Sequence, residues 1–186
     1  MRFVPFRTLE TSRLRLRKLA MEDVSRYYDR IGSSPEVTKY LLFSPHSNIG
    51  ESVASIQKAL QRYAEGRCYR FCIALKDTNE LIGIIEPLRF EESTSSCSFA
   101  YMLAQDFWGQ GYGTEALRAV LDFLFGEMEI ERVDADHMAE NAASGAVMRK
   151  AGMVCIGMVP DKYEKNGIFH DAICYRITRD QWEQTR

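Results

Sequence analysis

Apolar residues recur along the chain with two periods. Arg13-Leu-Arg-Leu-Arg17 alternates strictly, the pattern of a half-exposed first strand. After Glu22 and Asp23, Val24, Tyr27, Tyr28 and Ile31 fall at i, i+3, i+4 and i+7, which predicts a helix that Gly32 stops. Residues 33–50 hold Pro35 and Pro45 among small polar residues and read as a loop with room for one helical turn. A second helix is predicted from Glu51 to Glu65, with Val53, Ile56, Leu60 and Tyr63 on its inner face. Arg70 to Leu75 and Leu81 to Phe90 read as strands joined by the turn Lys76–Glu80, and a further turn leads to a strand from Cys97 to Leu103. Leu117, Val120, Leu121 and Leu124 then turn one face of a helix ending at Phe125 toward a core. Ile130 to Met138 is a strand, Asn141 is a good N-cap for a short helix, and Gly152 ends that helix. Met153 to Val159 and Phe169 to Ile177 form a closing hairpin around Lys165-Asn-Gly167, where Asn-Gly is a strong turn signal. The order is strand, two helices, three antiparallel strands, helix, strand, helix and hairpin, without repeats. It predicts a single α/β (α+β) domain over residues 1–186.

Composition narrows the function. The net charge is −2, with both signs spread along the chain, whereas nucleic-acid binders usually carry a basic stripe; no nucleic acid is expected. Residues 1–7 lack the apolar core of a signal peptide and no window approaches a membrane span, so no membrane partner is expected. The 5 cysteines include no C-x-x-C and read as buried, reduced thiols in strands of a cytoplasmic protein. An acyl-carrying cysteine is the alternative, with His170 standing near Cys174. The 3 histidines are scattered, none at ligand spacing from a cysteine or acid, so no metal is expected.

The chemistry concentrates between Phe107 and Ala116. Gly109, Gly111 and Gly113 strip side chains from a turn that opens a helix, and a helix start offers unpaired N–H groups and a partial positive charge. A bare backbone there can wrap a phosphate. Gly111-Tyr-Gly113-Thr-Glu-Ala116 also fits a dinucleotide fingerprint, with Asp134 and Asp136 as ribose-binding acids, and a helix entry that is glycine-rich for packing alone is the plain alternative. No Lys-Ser or Lys-Thr follows the glycines, which excludes a P-loop. A dinucleotide fold places this turn after its first strand; here it follows the fourth.

Leu9-Glu-Thr-Ser-Arg-Leu-Arg-Leu-Arg17, Phe107-Trp-Gly-Gln-Gly-Tyr-Gly-Thr-Glu-Ala116, Glu140-Asn-Ala-Ala-Ser144, Lys150-Ala-Gly-Met153 and Asn166-Gly-Ile-Phe-His-Asp171 follow one another along nearly the whole chain. That series resembles the GNAT superfamily of N-acetyltransferases, and within it the branch of ribosomal-protein N-terminal (alanine/serine) acetyltransferases. The resemblance implies the GNAT fold, a mixed and mostly antiparallel sheet of about seven strands flanked by about four helices and splayed between the fourth and fifth strands. It implies acetyl-CoA as cosubstrate, with its pyrophosphate on the backbone N–H groups of Trp108, Gly109, Gln110, Gly111, Tyr112, Gly113 and Thr114. The pantetheine arm would lie along the backbone of Tyr101, Met102 and Leu103, with the Leu103 N–H toward the thioester oxygen and Asn141 on the other side. Asn141 as a plain N-cap and Trp108 as core packing remain the alternatives for those two. A homodimer stays open.

Two departures from the family pattern matter. Trp108 stands where an Arg or Gln usually opens the phosphate motif, and Met148 replaces the tyrosine that often protonates the leaving thiolate. Ser144 is then the substitute catalytic acid, or a residue that only faces the ligand. Glu86, in the apolar run Leu81-Ile-Gly-Ile-Ile-Glu-Pro-Leu88, is the candidate base, since desolvation raises a carboxyl pKa; marking an exposed strand edge is its alternative. His46 and Glu164 are weaker bases, His137 fits a packed face, and Ser98 occupies the place of the branch's usual acid. Neutralising an α-amine of pKa about 7.7–8.0 costs roughly 1–1.4 kcal/mol at pH 7, against about 4.6 for a lysine, so a site without a strong base suits an α-amine. The expectation is direct transfer from acetyl-CoA to an amine in a ternary complex. A non-catalytic acyl-CoA-binding module is the alternative.

Overall fold

The computed structural model describes residues 1–66 and 68–184. Its strands are β1 (Leu9–Glu10), β2 (Leu14–Arg17), β3 (Phe71–Leu75), β4 (Leu81–Glu91), β5 (Ser96–Leu103), β6 (Arg132–Met138), β7 (Val154–Lys165) and β8 (Ile168–Thr178). The α-helices are α1 (Val24–Tyr27), α2 (Pro35–Thr38), α3 (Ile49–Ala64), α4 (Tyr112–Gly126), α5 (Ala142–Lys150) and α6 (Arg179–Glu183). One 8-stranded sheet runs β1-β2-β3-β4-β5-β6-β8-β7, and only the β5–β6 pair is parallel. The mixed, mostly antiparallel sheet is as expected, with one strand more. Leu9–Glu10 folds back on β2 as a two-residue strand too short to show a period.

Helices cover both faces. On one, Leu117, Val120, Leu121 and Leu124 of α4 are fully buried with Phe71, Ile73, Val133 and Met148. On the other, Ile56 and Ala59 of α3 pack with Tyr27, Ile31, Val37 and Ile84. Each fully buried Leu or Ile stabilises by about 1.5–3 kcal/mol, which makes these stripes the main support of the sheet. The expected helix over 22–31 is broken up. A 3-10 turn (Met21–Asp23) precedes α1 and a π turn (Tyr28–Gly32) follows it. Ser33 supplies two donors to the Tyr28 carbonyl, from its N–H at 2.9 Å and its hydroxyl at 2.7 Å. The one helical turn allowed for in the 33–50 loop is α2, capped by the Ser34 hydroxyl. The closing hairpin extends past its expected ends to Lys165 and Ile168, with Asn166 (φ 52°) and Gly167 (φ 77°) turning it. α6 carries no apolar repeat; a Thr178–Gln181 capping box starts it and Trp182 stacks on Phe125 at 5.3 Å. No helix among the described residues is long and apolar enough to cross a membrane.

The feature that positions a site is a break in pairing. β5 and β6 are matched at Ser96–Arg132, Cys97–Val133 and Ser98–Asp134, and the matching stops there although both strands continue. β5 stays attached to β4 as far as Gly83–Leu103. A Cβ on Gly83 would lie 2.5 Å from Leu103 Cδ2 and 2.6 Å from the Met102 carbonyl oxygen. Gly83→Ala is therefore expected to destabilise the fold by about 1–3 kcal/mol, read as a lower urea midpoint; an unchanged midpoint would show that β4 and β5 yield freely there.

Candidate functional site

Past Leu103 the chain makes a 3-10 turn (Gln105–Phe107) and enters the glycine turn. Trp108 closes the first turn with its N–H on the Gln105 carbonyl at 3.0 Å, and its indole donates to the Leu103 carbonyl at 2.8 Å. The Trp108 amide is thus taken, a correction to its expected phosphate role, and the available run starts at Gly109. Gly109 (φ 72°) and Gly111 (φ 84°) adopt the left-handed conformation that a side chain disfavours, and Gly111 caps α4. The first N–H turned back into the helix is that of Glu115, to the Gly111 carbonyl at 3.0 Å. The amides from Gly109 to Thr114 have no acceptor among the described residues. Gly113 serves packing instead, since a Cβ there would meet Leu103 Cδ1 at 3.2 Å.

The turn is clamped from the start of the chain. Glu115 accepts from Thr11 Oγ1 (2.5 Å), Ser12 Oγ (3.1 Å), the Arg13 N–H (3.0 Å) and Arg13 Nε (2.7 Å). Arg13 in turn donates to the Gln110 carbonyl at 3.1 Å and lies over the Tyr112 ring at 4.3 Å. Burial raises the Glu115 carboxyl, but the bonds from Thr11, Arg13 and Ser12 outweigh it and hold the group below the usual carboxylate range. Arg13 thus ties down the Gln110 carbonyl within the run of unpaired amides.

Beside the turn, β5 presents an open edge. The Ala104 N–H donates to the Ile82 carbonyl at 2.8 Å, so alternate peptide groups, those of Met102 and Ala104, face β4. Those of Tyr101 and Leu103 face the gap. This corrects the expectation for Met102, whose peptide groups are turned to β4 although the residue lines the site. A cavity of about 360 Å³ lies along this edge and is lined by residues from both faces of the sheet. It is lined by Tyr101, Leu103, Gly109, Gly111, Gly113 and Thr114, by Asn141, Ser144 and Val147 of the α5 side, and by Glu36, Val37, Tyr40 and Leu41 of the α2 side. Trp108, about half exposed, also lines it. Asn141 does act as N-cap, its Oδ1 accepting from the Ser144 N–H at 3.3 Å.

Ser144 has a partner that sequence reading missed. The Tyr101 hydroxyl lies 2.9 Å from Ser144 Oγ and 3.1 Å from the Ser144 carbonyl oxygen. Burial pushes the Tyr101 phenol up to about 12, against a smaller lowering by Ser144, so it stays protonated and donates. Met148, at the expected tyrosine position, is buried in the core. Glu86 does not line the cavity. It sits under Arg62, whose Nη1 is 2.7 Å from Oε1, and Arg70, whose Nε is 3.7 Å from Oε2. Its apolar flanks leave it half-buried, and two guanidiniums from outside those flanks bind it, which corrects its assignment as the candidate base. His46 Nδ1 is 2.7 Å from Ser52 Oγ, and the buried His137 stacks on Tyr175. Cys68, Cys72 and Cys97 are buried, while Cys155 on the edge strand is exposed, against expectation. No cysteine is among the residues lining the cavity.

A family model for the acetyltransferase (GNAT) domain matches residues 13–154. The chain is 28% identical over 178 residues to p20 of Bacillus licheniformis, itself an uncharacterized N-acetyltransferase, covering 94% of this chain and 98% of that one. It is 25% identical over 125 residues to the ribosomal protein uS5 alanine N-acetyltransferase of Escherichia coli (strain K12), covering 67% of this chain and 64% of that one. A crystal structure of a GNAT-family acetyltransferase from Bacillus anthracis shares the fold, with a TM-score of 0.83 over 94% of this chain and 99% of that one at 22% identity.

Because folding lowers the Glu115 carboxyl, its contribution to stability is present above the unfolded value and is lost as pH falls through the folded one. Glu115→Gln is expected to be less stable than the parent at neutral pH and to converge on it in acid, read by urea unfolding across that range. Two profiles that stay parallel would refute the clamp.

Proposed function

The chain belongs to the GNAT family of acetyltransferases, and on that footing we propose that it moves an acetyl group from acetyl-CoA to a primary amine by direct attack in a ternary complex. It is an acyl-CoA-dependent acetyltransferase; the acceptor class, the mechanism and the residues that follow are our reading. The observation that carries it is the meeting of an unpaired amide run, at the start of α4, with the open edge of β5 on one cavity. The residues fit the cosubstrate. Amides from Gly109 to Thr114 hold the diphosphate, helped by the partial positive charge of the α4 N-terminus. The peptide groups of Tyr101 and Leu103 and the Asn141 amide receive the pantetheine arm. Acetyl-CoA supplies the activated acyl group.

The chain's own groups then divide the work. The Leu103 N–H, facing the gap, donates to the carbonyl oxygen on which negative charge develops. Ser144 donates to the departing sulfur, with the Tyr101 hydroxyl bonded behind it. Glu36 is exposed and is the acidic residue among those lining the cavity. With Glu86 tied to Arg62 and Arg70, the site offers little driving force for deprotonating a lysine, which supports an α-amine acceptor. The relative that acetylates an alanine of ribosomal protein uS5 supports the same class, a peptide N-terminus, with small-molecule amines next. Residues 1–186 act as one domain. The exposed Val154, Ile156, Met158 and Val159 on the edge strand β7 support a homodimer.

The test is CoA release over a panel of amines. Release is expected to depend on the acceptor, to be greatest with peptides bearing a free α-amine, and to follow sequential kinetics. Tight acetyl-CoA binding without acceptor-dependent release would favour a binding module, and ping-pong kinetics would refute direct transfer. Gly111→Asp, a charge set against the diphosphate, is expected to abolish acetyl-CoA binding in calorimetry while the protein stays folded. Tyr101→Phe is expected to lower kcat several-fold, up to about tenfold, the range of one neutral hydrogen bond, with acetyl-CoA affinity nearly unchanged. An unaltered kcat would remove Tyr101 from the mechanism.

A further inference from the structure

The segment over residues 33–50 and the closing hairpin are joined at one side chain. Lys165 ends β7, and its ammonium reaches the C-terminal end of α2. There Nζ donates to the carbonyl oxygens of Thr38 at 2.6 Å, Lys39 at 3.1 Å and Leu41 at 2.7 Å. An ammonium has three donors, so neutral carbonyls can use them all. Burial pulls Lys165 below its ordinary range, the direction expected for a cation drawn from water onto uncharged acceptors. α2 spans 4 residues, too few to be stable by itself, and must be held from outside. It nevertheless brings Glu36 and Val37, with Tyr40 and Leu41 just beyond, to the cavity wall.

The cavity reaches both faces of the sheet because β5 side chains alternate. Tyr101 packs with the α4 side and Met102 with the α2 side, and both line it. With the α4–α5 side given to the cosubstrate, the acceptor enters from the α2 side. We propose that Lys165 is a positioning residue for the acceptor: it latches α2 to the hairpin tip and so fixes the wall that carries Glu36 and Tyr40. The proposal rests on the acetyl-transfer reading for what the wall recognises, an amine whose ammonium form is drawn to Glu36. The latch sets acceptor affinity and leaves the chemistry at Ser144 alone.

The experiment compares Lys165→Met, Lys165→Gln and Lys165→Arg with the parent by two readouts. In steady-state kinetics with the best amine of the panel, Met and Gln are expected to raise the acceptor KM by about tenfold or more, as loss of one charge-assisted bond allows. Arg, which keeps the cation, should restore most of it, and kcat and acetyl-CoA affinity should barely move. Hydrogen exchange, which needs no turnover, should show faster exchange over residues 34–41 in Met and Gln. Unchanged exchange there overturns the latch whether or not any amine is acetylated. Faster exchange with an unchanged acceptor KM overturns its role in acceptor binding. Faster exchange with no acetylation of any amine by the parent keeps the latch and removes the acetyl-transfer reading.

Discussion

The β5–β6 hydrogen-bond ladder ends at Ser98–Asp134, and the organisation of the site follows from that ending. A buried peptide group without a partner costs on the order of 1–3 kcal/mol, so a sheet does not leave an open interior edge without compensation. Part of the compensation is internal, since the Trp108 indole occupies the Leu103 carbonyl. The rest of the edge faces the cavity. A parallel pair broken part-way is a slot for an extended ligand that carries amides of its own, and the pantetheine arm is such a ligand.

Charge at the phosphate end is handled with similar economy. Arg13 arrives at the glycine turn from just ahead of β2, yet Glu115 neutralises it through a 2.6 Å ion pair. What remains for an anion is the run of amides and the end of α4, whose attraction depends on direction more than on net charge, with Lys150 also lining the cavity. Affinity at such a site comes from geometry. That explains why residues 11–13, far from the turn in sequence, take part in holding it. It also gives a physical role to the opening Leu9-Glu-Thr-Ser-Arg motif, which as a sequence was only a mark of resemblance.

Local features were legible before the fold was known. The core face of α4, the Asn141 cap and the Asn166-Gly167 turn each depend on residues within a few positions of one another. The glycines of the turn were equally clear, although they do different things, two bending the chain and Gly113 allowing α4 close to Leu103. Glu86 shows the limit. Its apolar neighbours rightly indicated partial burial, but its chemistry is decided by Arg62 from α3 and Arg70 ahead of β3. The sequence marks Tyr101 for its backbone alone, and its hydroxyl becomes the partner of Ser144 only where β5 meets α5.

The sequence by itself determined the periodicities, the caps and turns, and the identity of the phosphate-binding stretch. Each of these is a property of a short window, where spacing alone dictates geometry. The tertiary structure decided which amides are free, which carboxylate is paired and which lysine holds α2, because these depend on groups brought together from distant parts of the chain. Lys165 and Thr38 are 127 positions apart, and no local pattern records that their atoms meet.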